Sequence, residues 1–153
     1  MLENDSHRNV HKRYFILLSM TFDSFGDDYL EGLYDEIQFD PYLYIATVVN
    51  TYDGDTTTLN IDLGFDITSK QRVRLYGIDA PEVRGTERKE GIKSREYLRQ
   101  IIPDNSAVYV RTIRDKKGKY GRYLAILYVK HGERFLNVNK FMVKTDHAKA
   151  YRL

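Results

Sequence analysis

The chain has 153 residues, 42% of them hydrophobic and 30% charged, with no cysteine. That balance allows one folded domain with a real core. It excludes a disordered tract, a disulfide framework, a thiolate metal site and a catalytic thiol. The formal charge of +2 conceals a split: +1 over residues 1–13, −7 over 14–41 and +8 over 42–153. A basic body behind an acidic leader points to a polyanionic partner.

In chain order, Tyr14–Met20 follows His11, Lys12 and Arg13, a faint echo of a signal peptide. The run is short and no A-x-A-like site follows, so the compartment stays open between cytoplasm and exterior. No stretch approaches the roughly 18 apolar residues of a membrane span, no protein-partner motif is evident, and a monomer is expected. Phe25–Phe39 carries Tyr29, Leu30, Leu33, Tyr34 and Ile37 at helical spacing, with Ser24 or Asp27 as cap. This acidic extension, residues 1–41, is expected either to pack a helix on the body or to lie over its basic cleft.

Pro41 marks a boundary, and the body is expected to occupy 42–153. Three strands follow, at Tyr42–Thr51, Thr56–Leu63 and Lys70–Ile78, the second alternating as a half-buried strand does. A polar loop covers 79–90, and Gly91–Ile102 reads as a helix ended by Pro103. Ser106–Ile113 and Arg122–Lys130 are strands joined by a basic turn, and Phe135–Lys144 reads as the last helix through Val138, Phe141 and Met142. Five short strands with a helix after the third make an OB-type barrel with helices, an α+β fold.

Two acidic pairs stand where apolar strands end. Asp53 and Asp55 lie in DGDT, which also suits a plain hairpin turn. Asp79 and Glu82 flank Pro81 in GIDAPE, which also suits an Asp-initiated turn. An antiparallel barrel can set the two strand ends side by side, so that Asp55, Asp79 and the Ala80 carbonyl share one hard cation. Read from the residues alone, Arg74 is a strand-face cation that can pair with an acid such as Asp62, and Arg122 is a turn charge. Arg84, Arg88 and Lys89 are either a solvated face or a substrate clamp. His7, His11, His131 and His147 have no metal-ligand spacing.

The motifs DGDT (53–56), VRLYGIDAPE (73–82), KYGR (119–122) and VNKFMV (138–143) together resemble the thermonucleases, the staphylococcal-nuclease-like family, from about Tyr44 to Tyr151. The resemblance implies a five-stranded OB barrel with helices and a calcium-dependent nuclease acting on DNA and RNA, leaving 3′-phosphate ends. It implies Asp55, Asp79 and Ala80 as calcium ligands, Glu82 as general base, Arg74 and Arg122 on the scissile phosphate, and Lys119 and Tyr120 on a neighbouring phosphate. Against the family pattern the Asp55–Arg74 hairpin is longer, through LGFDITSK, and the loop after Glu82 is shorter. The competing reading is a non-catalytic OB module that binds single strands by charge and stacking.

Overall fold

The computed structural model describes residues 22–37, 40–117 and 123–151. The leader contributes a one-turn helix, α1 (Asp27–Leu30), and a short strand, β1 (Tyr34–Asp35). The long helix expected across Phe25–Phe39 does not form. Glu31 is already extended at ψ 138°, and Gly32 takes φ 81°, a left-handed value that favours glycine. The apolar spacing serves a different backbone: Phe22, Leu30 and Leu33 are buried, and the Phe22 and Phe25 rings meet Phe141 edge-on at 5.3 and 5.5 Å.

The body begins with three antiparallel strands, β2 (Leu43–Asp53), β3 (Thr56–Asp62) and β4 (Thr68–Leu75). After Gly77, at φ 76°, comes the short β5 (Ile78–Asp79), then a 3-10 turn at Gly85–Glu87 leading into helix α2 (Arg88–Ile101). Strands β6 (Ala107–Lys117) and β7 (Tyr123–His131) follow. The chain closes with β8 (Arg134–Asn137), α3 (Val138–Lys144) and β9 (Lys149–Ala150).

Strand β2 pairs with both β3 and β6, β6 pairs with β7, and β7 runs parallel to β4 with Arg74 opposite Leu124. These pairings close a mixed five-stranded barrel of the OB-like α+β type. Alternation sorts the side chains: Val48, Leu59, Val73, Val110 and Leu127 are buried, while Lys70 and Arg72 on the same β4 face outward. Helix α2 buries Gly91, Ser94, Leu98 and Ile101, a spacing of three and four residues that marks one helical face. Among the described residues, no helix is long and apolar enough to cross a membrane.

The last helix starts three residues later than Phe135. Residues 134–137 instead extend β7 as a hairpin and carry β1 on their other edge. Asn137 then accepts the Lys140 N–H at 3.0 Å and caps α3. At this seam Asp35 accepts hydrogen bonds from Tyr128 Oη (3.2 Å), Asn137 Nδ2 (2.9 Å) and Lys140 Nζ (2.5 Å). Burial pushes the Asp35 carboxyl up, but Lys140 and Asn137 outweigh it and hold its pKa below the ordinary 3.8. The Tyr128 hydroxyl, buried beside that carboxylate, is pushed up to about 12.

Asp35→Ala therefore strands the Tyr128 and Asn137 donors in the seam, while half-exposed Lys140 turns to water, and lowers unfolding stability at pH 7 by about 1–3 kcal/mol. A folded-state pKa below the unfolded one stabilises above the unfolded pKa and is lost as pH falls. The gap between wild type and variant accordingly narrows from pH 5 to pH 2, as urea titrations at the two ends will show.

Candidate active site

The DGDT turn links β2 to β3 and is pressed against two other segments. A Cβ built on Gly54 would stand 1.8 Å from Ser94 Oγ on α2 and 2.8 Å from Ala80 Cβ. Only a residue without a side chain lets the turn lie this close. Ser94 is itself fixed, its hydroxyl donating to the His147 carbonyl at 2.6 Å. The Leu75 N–H donates to the Asp55 carbonyl at 2.7 Å, tying the turn to the end of β4.

Asp55 follows from that anchoring. Its side chain is 4% exposed. Oδ1 accepts from Thr56 Oγ1 at 2.9 Å, Oδ2 accepts from the Ala80 N–H at 2.9 Å, and Arg74 Nη2 lies 3.3 Å from Oδ2. Its own N–H donates to Asp53 Oδ1 at 3.1 Å. Burial, and then the nearby charge of Asp53, push the Asp55 carboxyl up to about 6, while the Ala80 N–H and Arg74 pull the other way. A carboxylate in this position is short of positive charge.

Arg74 supplies part of it. The register sets Arg74 opposite Thr56, next to Asp55, and its Nη2 also donates to Asp79 Oδ1 at 2.6 Å. Asp79 is 56% exposed, so one carboxylate of the pair is enclosed and the other opens to solvent. Its backbone is held by pairing with Lys149, beside the Ile78–Ala150 pair, and the Tyr151 N–H donates to the Gly77 carbonyl at 2.8 Å.

Beyond Ala80 the chain turns outward at Pro81, and Glu82 is exposed. Its main chain is nonetheless fixed: the Glu82 N–H reaches Glu87 Oε2 at 3.4 Å, and a Cβ on Gly91 would stand 2.1 Å from the Glu82 carbonyl oxygen. The first turns of α2 thus form the wall behind Glu82.

Of the sequence-predicted site residues, Asp55, Arg74, Asp79 and Ala80 meet in direct contact, and Glu82 stands two residues beyond Ala80 on the same loop. Lys119, Tyr120 and Arg122 lie outside the described residues. Asp53, read from the sequence as a turn former, belongs to the site as well, since it is buried and its charge acts on Asp55. Its place two residues before Asp55 in DGDT was the available signal.

The donors are all oxygen. Among the described residues no group of three or more His, Cys, Asp or Glu side chains gathers into a metal cage. Two carboxylates of unequal exposure and a backbone carbonyl suit a hard divalent cation that keeps several waters, and do not suit a metal that demands nitrogen or sulfur ligands.

Comparison with known proteins bears on the same stretch. A family model described as staphylococcal nuclease homologue matches residues 72–153, which include Arg74, Asp79, Ala80 and Glu82. An uncharacterized protein of Methanocaldococcus jannaschii is 25% identical over 128 residues, covering 71% of this chain and 59% of the relative. The chain therefore spans less than two thirds of that relative's length.

Proposed function

We propose, from the premise that this chain belongs to the staphylococcal nuclease homologue family, that it is a calcium-dependent nuclease hydrolysing phosphodiester bonds of DNA and RNA and leaving 3′-phosphate ends. The observation that carries this reading is the contact of Arg74 with both Asp55 and Asp79, at 3.3 and 2.6 Å, on a loop that continues into Glu82. A guanidinium pinned between two carboxylates gives one pocket both a seat for a cation and a donor for an anion.

Asp55, Asp79 and the Ala80 carbonyl would hold the calcium, which would supply Lewis-acid chemistry by neutralising charge on the phosphate. Glu82 takes a proton from the attacking water. The water oxygen forms its bond to phosphorus as the 5′-oxygen leaves with the electron pair of the P–O5′ bond. Arg74 and Arg122 offer paired N–H donors to the phosphate, a planar fork that lysine lacks, and stabilise the charge that builds in the transition state. Lys119 and Tyr120 hold a neighbouring phosphate. Enclosure of Asp55 keeps one ligand fixed, while exposure of Asp79 and Glu82 leaves room for substrate and water.

The test is a metal-titrated assay on labelled single- and double-stranded substrates. Stripping divalent ions with excess EGTA abolishes hydrolysis, and calcium restores it. Full hydrolysis in EGTA with no other metal supplied would overturn the metal-dependent mechanism. Tight strand binding with no hydrolysis in calcium would leave a binding module instead.

A further inference from the structure

Beside the site, the outer face of β2–β4 and one face of α2 enclose an open cleft of about 760 Å³. Six cations line it: Lys70 and Arg72 from β4, Arg84 from the loop after Glu82, and Arg88, Arg95 and Arg99 from α2. No aspartate or glutamate is among the lining residues. Five of the six come from two regular patterns. On β4, Lys70, Arg72 and Arg74 face outward at every second position, about 6.7 Å apart. On α2, residues 88, 95 and 99 fall at i, i+7 and i+11, one stripe of the helix.

These charges are poorly compensated. Among the described residues no acid pairs with Lys70, Arg72, Arg84 or Arg88. Glu96 takes Arg95 and Arg99 at 2.9 Å each. Arg99 also donates to the Thr51 carbonyl at 3.0 Å, while its Nε is buried without a partner among the described residues. The Arg72 guanidinium lies 4.3 Å over the Tyr52 ring, which fixes it across the cleft wall. Four of the seven described acids of the leader are engaged elsewhere: Asp23 with His131, Glu31 with Arg134, Asp35 with Lys140, and Asp40 with Arg111.

We infer that this cleft is an extended binding track for the backbone of a single nucleic-acid strand, entered from the scissile phosphate at Arg74 and carrying the phosphates that flank it. The inference rests on the nuclease reading for its starting point. The β4 row supports it, because Arg74 is both a site residue and the last member of the row Lys70–Arg72–Arg74. Successive phosphates, each with one charge, can follow successive cations along that strand. A single strand fits better than a duplex, since the cations lie on two facing walls of a cleft and not on one convex face.

The experiment uses the full chain bearing Glu82→Gln, so that strands survive, with calcium present. Binding of a fluorescein-labelled single strand of about 15 nucleotides is followed by anisotropy across a salt series. Adding Lys70→Gln and Arg88→Gln, two surface substitutions, lowers affinity at low salt by about tenfold and makes the log–log salt slope shallower by about 1.4, roughly 0.7 for each phosphate no longer neutralised. A labelled dinucleotide, too short to reach from Arg74 into the cleft, loses less than about twofold. Melting curves report whether the fold is kept, and Arg84→Gln serves as the replacement if either substitution unfolds the chain. Equal affinity and slope for the 15-mer with and without the two substitutions would overturn the track. Its failure is separable from failure of the nuclease reading. Wild-type hydrolysis with an unchanged slope removes only the track, whereas a shallower slope without any wild-type hydrolysis removes only the chemistry.

Discussion

Glu82→Gln lowers strand hydrolysis by about 100- to 10,000-fold, the range expected when a positioned general base is removed. Glutamine keeps the size and the hydrogen-bonding reach of glutamate but cannot take a proton from water. The side chain is exposed and its main chain is held through Glu87 and Gly91, so the substitution leaves the fold in place. Melting temperature therefore stays near wild type, since such surface changes fall within about 0.5 kcal/mol. Strand affinity in calcium persists, because Arg74 and the carboxylates beneath it are untouched. Single-turnover rates measured beside equilibrium binding check the claim. A rate within a few-fold of wild type would remove Glu82 from the chemistry.

Gly91→Ala reaches the same residue from behind. In an ordinary helix interior this change stabilises by about 0.5–1 kcal/mol. Here the new methyl would lie 2.1 Å from the Glu82 carbonyl oxygen, 2.4 Å from its carbonyl carbon and 2.8 Å from the Pro81 oxygen. All three are backbone atoms, so no rotamer can turn away. Either α2 backs off the barrel or the 80–82 loop moves outward. The first route disturbs the packing of Ser94 and Leu98 and costs about 1–3 kcal/mol. The second displaces the base from its working position, and a shift of about 1 Å is enough to cost roughly 100-fold in rate. Thermal melts and single-turnover hydrolysis on one preparation measure both. A variant that is both more stable than wild type and fully active would show that the contact does not position Glu82.

The barrel is largely legible in the sequence because its strands bury one face. In TTTLNID and in the QRVRL end of β4, alternation alone marks which side chains turn inward. Helix α2 is legible through the spacing of Gly91, Ser94, Leu98 and Ile101. The leader is not. Leu30, Leu33 and Tyr34 satisfy helical spacing, yet the same residues can be buried by one turn, a left-handed Gly32 and a strand. The pairing of Tyr34 and Asp35 with β8, about 100 residues away, decides between them. For the same reason β8 reads as the start of the last helix, as four residues are too few to declare a period.

Within the site, Asp55, Arg74, Asp79 and Ala80 stand out through their motifs, because each motif is local and its residue types are chemically restrictive. The basic cleft is beyond the reach of linear spacing: its cations come from a strand, a loop and a helix, and adjacency across elements leaves no trace along the chain. Arg84 and Arg88 show in the sequence as charged, but not as facing Lys70.

The ring of strands is sealed by the parallel seam between β4 and β7, whose register joins Val73 to Tyr123 and Leu75 to Ala125. Fifty residues separate the two sides of that seam, including the whole of α2 and β6. Closing that loop costs chain entropy, as every non-local pairing of the barrel does, and such pairings slow folding. Arg74 sits in the middle of the seam, so the pairing that seals the cylinder also fixes the backbone that carries its guanidinium. Under the nuclease reading, the grip on substrate in this molecule thus depends on a pairing between segments fifty residues apart.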